Sequence, residues 1–285
     1  MTSTASKLDT RRHAVRGDLA DTALRGHVEA ARFVDGQIAQ VAATAPMRVE
    51  PRDDAMLTTQ ILIGETVKVF DLAEGWAWVQ KQTDAYVGYV PANALATGIS
   101  FPTHIITAAC ALAFANPDLK TAPVARHYLG EQLVLGAKTG AYVKAPGGGY
   151  LHERTVAPVG TTADDAVTVA ERFIGTPYLW GGKTAEGLDC SGLVQVALNA
   201  TGTSCPRDSD MQEAEVGTSI GCDIANLILR RGDLVFWRGH VGFMCDDKTL
   251  LHANAWHMET AEEPLEEAVR RIAADGSPVT DIRRL

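Results

Sequence analysis

Asp189-Cys190-Ser191-Gly192 stands between the glycine-rich stretch Gly181-Gly-Lys-Thr-Ala-Glu-Gly187 and the apolar run Leu193, Val194, Val196, Ala197, Leu198, which stops at Gly202. The spacing predicts a helix from Cys190 to Gly202, with Cys190 at or near its N-terminus. Unpaired backbone N–H groups and the positive end of the helix dipole favour a thiolate there, below the ordinary thiol value of about 8.5. The same N–H groups can hold an oxyanion, so the position suits an acyl-transfer nucleophile. For an anonymous cysteine the plainer reading is a small residue packed under a helix. The histidines downstream reverse that preference.

Such a thiol needs an imidazole to take and return its proton and a third polar group to orient that imidazole. Strand-like segments come after the helix: Asp233-Leu-Val-Phe-Trp237, His240-Val-Gly-Phe-Met244 and Thr249-Leu-Leu-His-Ala253. His240 opens one and His252 lies on the next. In a plain hairpin with an odd-numbered loop the two share a face, but His252 falls opposite Met244, so strand twist or another pairing must bring it to His240. Upstream, Thr161-Thr-Ala-Asp-Asp165 carries a capping signal before Ala166, Val167, Ala170, Phe173 and Ile174, predicting a helix of about ten residues closed by Gly175. Helices first and sheet second make this part of the chain α+β.

Before Pro158 the period is strand-like. Gln60-Ile-Leu-Ile-Gly-Glu-Thr-Val-Lys-Val-Phe70, Gly75-Trp-Ala-Trp-Val79 and Tyr86-Val-Gly-Tyr-Val-Pro91 suit a β-barrel of about 50 residues. The plan recurs at a 66-residue offset, where Tyr128-Leu-Gly-Glu-Gln-Leu133 answers Leu62-Ile-Gly-Glu-Thr-Val67. Ala141-Tyr-Val143 then answers Ala77-Trp-Val79, and Gly149-Tyr-Leu-His152 answers Gly88-Tyr-Val-Pro91, so two tandem barrels are expected. Residues 16–33 carry weak helical spacing at most. The expected organisation is an N-terminal arm over 1–45, small β-barrels over 46–98 and 99–158, and an α+β domain over 159–285.

Thr176-Pro-Tyr-Leu-Trp-Gly-Gly182, Gly187-Leu-Asp-Cys-Ser-Gly192, Pro206-Arg-Asp-Ser209, Arg231-Gly-Asp-Leu-Val-Phe236, His240-Val-Gly242 and Leu251-His-Ala253 resemble the successive signatures of the NlpC-type cell-wall peptidases, a papain-like family. The two β-units resemble the bacterial SH3-like domains that accompany this catalytic domain in enzymes similar to dipeptidyl-peptidase VI. The resemblance implies Cys190 as nucleophile, His240 as general base and later acid, and His252 as the residue that holds the imidazole. It implies cleavage of the amide between γ-D-glutamate and a diamino acid in murein peptides. Asp189 and Ser191 would then help to bind the free amine of an N-terminal L-alanine, while Asp189 also suits a helix N-cap. Trp180 matches a cleft-lining position and reads equally as a core tryptophan. Tyr86 is the candidate for a tyrosine by which the first barrel closes the cleft, with Tyr89 three residues on and the accompanying acid unassigned among Glu50, Asp53 and Asp54.

The 285 residues, at roughly 100 to 200 per domain, suit two or three units. The 35 acidic against 26 basic residues, a net charge of −9, offer no basic stripe for nucleic acid. No apolar run approaches the ~18 residues of a membrane span. The N-terminus lacks the apolar core of a signal peptide, so the expected location is the cytoplasm and the expected substrate a released murein peptide. The five cysteines are scattered without a C-x-x-C pair, and Cys205, Cys222 and Cys245 have no histidine at ligand spacing, so no disulfide framework, metal or cofactor is expected. Gly147-Gly-Gly149 reads as a turn, and Glu262-Glu-Pro-Leu-Glu-Glu267 as a solvated loop and helix start. Two other readings stand beside the recycling peptidase: an exported enzyme cutting intact wall, and a peptide-binding scaffold with an inert third domain.

Overall fold

Glu74 and Gly75, with φ of 52° and 83°, turn the chain between the strands Thr66–Ala73 and Trp76–Lys81. Two successive left-handed residues match the natural twist of a hairpin. The computed structural model describes residues 8–96 and 98–285, and the chain divides into two units, Met1–Ser100 and Phe101–Leu285. Among the described residues of the first unit, that hairpin lies within a seven-stranded sheet. Its order is Leu95–Ala96, Gln37–Val41, Thr66–Ala73, Trp76–Lys81, Val87–Pro91, Ala45–Arg48, Leu57–Ile61.

The stretch expected as an arm departs from that expectation. Gln37–Val41 is a strand of the sheet, paired antiparallel with Thr66–Ala73 and Leu95–Ala96. Leu19–Asp21 belongs to a small sheet with Val15–Arg16 and Arg32–Val34. Ala14 and Leu19 are buried against Phe70 and Trp78, so the burial of apolar side chains orders a segment that has little helical period.

In the second unit, residues 104–158 form a three-stranded sheet (Gln132–Leu133, His104–Ile106, Val156–Pro158) and a five-stranded one (Pro123–Tyr128, Cys110–Phe114, Tyr150–His152, Tyr142–Lys144, Lys138–Thr139). The 66-residue offset is visible as one repeated turn. Gly64 and Gly130 have φ of 87° and 89°, and the N–H groups of Glu65 and Glu131 each donate at 3.0 Å to the carbonyl three residues back, at Leu62 and Tyr128. This is the geometry in which glycine is needed at the third turn position. The strands that leave the two turns differ in length: eight residues after the first, and only Gln132–Leu133 after the second.

The remainder is an antiparallel six-stranded sheet in the order Thr218–Gly221, Val279–Arg284, Leu234–Trp237, His240–Met244, Thr249–Asn254, Glu259–Pro264. The pleat sends alternate side chains to opposite faces. Leu234, Phe236, Val241, Phe243 and Leu251 pack under Leu193, Val194 and Ala197 of the helix Cys190–Ala200. Val235, Trp237, Met244 and Leu250 pack with Leu265 and Ala268 of the helix Leu265–Ala274. The sheet is therefore covered on both faces, and the Cys190 helix is buried from Cys190 through Leu198. Asp165 caps the first helix by accepting from the Val167 N–H at 2.9 Å, and the helix, Ala166–Glu171, is shorter than expected because the chain tightens into turns at Arg172, Phe173 and Ile174, whose N–H groups donate to carbonyls three residues back. Glu262 and Glu263 lie on the strand Glu259–Pro264 rather than on a solvated loop, and the helix begins only at Leu265. Among the described residues no helix is long and apolar enough to cross a membrane.

Candidate active site

Cys190 is the first residue of its helix and Asp189 is the N-cap. One carboxylate oxygen of Asp189 accepts from the Gly192 N–H (2.7 Å) and Arg207 Nη1 (3.0 Å), the other from the Gly181 N–H (2.8 Å) and Arg207 Nη2 (2.7 Å). Arg207, 1% exposed, also donates to Ser191 Oγ at 2.8 Å. Gln212 Nε2 ties the carbonyls of Ser191 and Pro206 together, each at 2.9 Å. A methyl group at Gly192 would stand 2.2 Å from the carbonyl oxygen of Gly182, so close backbone approach requires the glycine in this first turn.

The helix start meets the beginning of the His240 strand. Cys190 Sγ lies 4.0 Å from the Gly239 carbonyl oxygen, and the backbone N–H groups of Val241 and Ser191 are directed at the sulfur. His240 Nε2 and His252 Nδ1 are 2.7 Å apart, and His252 Nε2 is 2.7 Å from Glu263 Oε1. Arg271 donates to the same carboxylate oxygen. The result is a continuous chain His240, His252, Glu263, Arg271 across adjacent strands and the helix behind them.

The hairpin register differs from the expected one. Met244 pairs with Leu250 and Phe243 with Leu251, which, continued, puts His252 opposite Gly242 and diagonal to His240 on one face. The imidazole centroids are 5.0 Å apart. Gly242 permits this, since a Cβ there would lie 3.0 Å from His252 Cβ and 2.8 Å from Leu250 Cδ1. Gly242→Ala is therefore expected to destabilise the domain by about 1 to 3 kcal/mol through overpacking. By displacing His252 it should also lower kcat/KM by ~10-fold or more. Thermal unfolding together with steady-state kinetics checks both effects.

Burial, then the Asp189 carboxylate, push the Cys190 thiol up to about 12, while the Val241 and Ser191 N–H groups pull it down. Burial and the Asp189 charge thus work against the thiolate that the helix start favours. Burial, then His252 and Arg271, push His240 down to about 3. Burial therefore opposes the charged form of both groups. Burial also lowers His252, against the opposing pull of Glu263. Glu263 is held down to about 2: burial opposes its charge, but hydrogen bonds from His252 and Arg271 outweigh it.

Residues 175–270 match the NlpC/P60 family, and residues 47–95 match the bacterial dipeptidyl-peptidase Sh3 domain. The γ-D-glutamyl-L-lysine dipeptidyl-peptidase of Bacillus subtilis is 30% identical over 224 residues, covering 70% of this chain and 73% of that one. The chain belongs to the NlpC/P60 family. It is thus a member of a family of cysteine peptidases, with an SH3 domain ahead of an α+β catalytic domain. Dipeptidyl-peptidase 6 of Lysinibacillus sphaericus is 27% identical over 251 residues, covering 80% of this chain and 91% of that one. In fold the chain is similar to the crystal structure of an NlpC/P60 family protein from Bacillus cereus, with a TM-score of 0.72 at 21% identity, covering 87% of this chain and 99% of that one.

Within this NlpC/P60 chain, His240 and His252 meet at 2.7 Å on adjacent strands, and the Cys190 sulfur lies beside the backbone of Gly239 and Val241 at the start of the first of them. Asp189 and Ser191, expected to help bind a substrate amine, also have partners within the protein. Both oxygens of Asp189 are occupied by backbone N–H groups and Arg207, and Ser191 Oγ accepts from Arg207 and donates toward Asp189 at 3.4 Å. They hold the nucleophile turn. Trp180 is 59% exposed, which excludes the core reading. Tyr86 belongs to the first unit and is buried there at 5% exposure, while Tyr89 accepts from Arg16. Glu50 and Asp54 pair with Arg52 on the surface.

Residues that carry no role in the sequence reading are Arg207, Glu263 and Arg271. Arg207 stands in the Pro206-Arg-Asp-Ser209 signature, whereas Glu263 is hidden in an acidic run. Among the described residues two clusters bring potential metal donors within 4.8 Å of one another: His252, His257 and Glu263, and Glu171, Cys245 and Glu262. In each an arginine already occupies a carboxylate, Arg271 on Glu263 and Arg231 on Glu171, which opposes a second cation.

Proposed function

We propose that this enzyme hydrolyses the amide between γ-D-glutamate and an L-diamino acid in released murein peptides that begin with a free L-alanine, with Cys190 as nucleophile, His240 as base and then acid, and His252 as its orienting partner. The observation that carries this reading is the 2.7 Å contact between His252 and His240, the first residue of a strand whose start, at Gly239 and Val241, flanks the Cys190 sulfur. Attack of the sulfur on the amide carbon forms a thioester while His240 returns the thiol proton to the leaving amine. Backbone N–H groups at the helix start are suited to the oxyanion. Water then hydrolyses the thioester by the reverse proton path.

The names of the relatives, γ-D-glutamyl-L-lysine dipeptidyl-peptidase and dipeptidyl-peptidase 6, support both the bond cleaved and release of a dipeptide counted from a free N-terminus. Five unpaired cysteines, of which Cys110 and Cys222 are exposed, support a reducing compartment such as the cytoplasm. The repeated Gly64 and Gly130 turns support reading residues 99–158 as a second SH3-like domain.

The test is incubation with L-Ala-γ-D-Glu-L-Lys and L-Ala-γ-D-Glu-diaminopimelate, each with a free and an acetylated alanine amine, with products read by mass spectrometry. L-Ala-γ-D-Glu should be released from at least one free peptide. Acetylation should cost ~2 to 5 kcal/mol of recognition, ~30-fold or more in kcat/KM. Absence of the dipeptide from both free peptides overturns the reading. Indifference to acetylation transfers it to intact wall.

A further inference from the structure

Resting on that reading, we propose that Glu263, clamped by Arg271, is a positioning residue that sets the proton order of the whole His240–His252 relay. An ionised carboxylate can only accept, so its 2.7 Å contact with His252 Nε2 places a proton on that nitrogen. His252 is buried and neutral, so its Nδ1 is then a bare lone pair. That lone pair accepts from His240 Nε2 at 2.7 Å, which puts the His240 proton on Nε2. By elimination His240 Nδ1 is left unprotonated, and it is the ring nitrogen free to take the thiol proton. Reversing the acceptor at position 263 reverses each step: His252 would donate from Nδ1, and His240 would carry its proton on the nitrogen that must be empty.

Arg271 has a separate part. It shares the Glu263 carboxylate and stacks over Trp256 at 4.9 Å, which fixes the guanidinium beside the relay. Its charge keeps Glu263 ionised and opposes a second proton on either histidine. The titratable groups that face the imidazoles are each other, Glu263 on the neighbouring strand, Arg271 on the helix behind it, and His257 on the connecting turn. On the other face of the sheet the helix start brings Cys190, with Asp189 behind it, to the backbone N–H of Val241, next to His240 in the chain.

Two variants with opposite electrostatic effects test the role in the full chain. Glu263→Gln presents either a carbonyl or an amide N–H to His252, so both proton orders become available. It should lower kcat by ~10- to 100-fold with KM within ~2-fold. It should also move the acidic limb of kcat/KM to lower pH, because a charge that favours imidazolium is gone. Arg271→Met should move that limb to higher pH, because a charge that opposes imidazolium is gone. Nitrogen-15 NMR of histidine-labelled protein should show protonated Nε2 and bare Nδ1 on both residues in the wild type, and mixed tautomers in Glu263→Gln.

Wild-type kcat with an unchanged tautomer pattern in Glu263→Gln overturns the proposal, as do acidic limbs that shift in the same direction. If Glu263→Gln does not fold, the direction of the Arg271→Met shift decides alone, and no shift overturns it. The NMR pattern needs no substrate. A wild-type protein that cleaves none of the murein peptides but shows the stated tautomers sinks the substrate reading and leaves the relay intact.

Discussion

Cys190→Ala is expected to abolish cleavage of the γ-D-glutamyl amide, with a fall of ~10⁴-fold or more in kcat/KM and the fold retained. The sulfur is the nucleophile at the helix start, since the Ser191 hydroxyl beside it is held by Arg207 and Asp189. The oxyanion site and substrate binding that remain without it cannot form the thioester. His240→Ala should lose nearly as much, because the thiol is pushed up to about 12 by burial and Asp189 and needs an adjacent acceptor to part with its proton. The decisive variant is the double one. Since the two groups act as one device, Cys190→Ala combined with His240→Ala should be no slower than Cys190→Ala alone within ~3-fold, rather than showing the product of two losses. Dipeptide release measured by mass spectrometry, with circular dichroism to confirm the fold, reads all three variants. Residual activity in Cys190→Ala above ~1% of wild type, with the fold intact, would contradict a cysteine nucleophile at this position.

The parts of the site that were legible in the sequence are those decided by local interactions. Asp189 before an apolar run and Gly202 after it specify the Cys190 helix, because capping and the φ of 81° at Gly202 are properties of neighbouring residues. The hairpin carrying His240 and His252 was legible as two strands, but its register was not. Asp246 closes the turn by accepting from the N–H groups of Lys248 and Thr249 at 2.8 and 2.7 Å, and this fixes Met244 opposite Leu250. Periodicity carries no information on that choice. Glu263 was illegible for a different reason: an acidic run reads as solvated until its partners, His252 eleven positions back and Arg271 eight ahead, are folded against it. Asp189 was legible as a helix cap, but its pairing with the guanidinium of Arg207, eighteen residues on, was not.

Arg207→Met is expected to destabilise the catalytic domain by ~3 to 5 kcal/mol, the usual cost of removing one partner from a buried ion pair. Arg207 is 1% exposed and Asp189 6%, and they meet through two hydrogen bonds of 3.0 and 2.7 Å, so the variant leaves a desolvated carboxylate with the Gly181 and Gly192 N–H groups and the more distant Ser191 hydroxyl but no countercharge. For a unit of this size the loss corresponds to a fall of ~6 to 20 °C in Tm. Asp189→Asn in the Arg207→Met background removes the stranded charge while asparagine still caps the helix, so the double variant should be more stable than Arg207→Met alone. The same electrostatics reach the nucleophile. The Asp189 charge raises the Cys190 thiol and the Arg207 charge lowers it, so Arg207→Met should raise the thiol further and slow cleavage even at temperatures where the domain stays folded. Adding Asp189→Asn should reverse that upward shift. Calorimetry and the pH dependence of cleavage on the three proteins separate the two effects. A Tm within ~2 °C of wild type for Arg207→Met, or a double variant less stable than the single, would show that the pair does not hold the nucleophile turn.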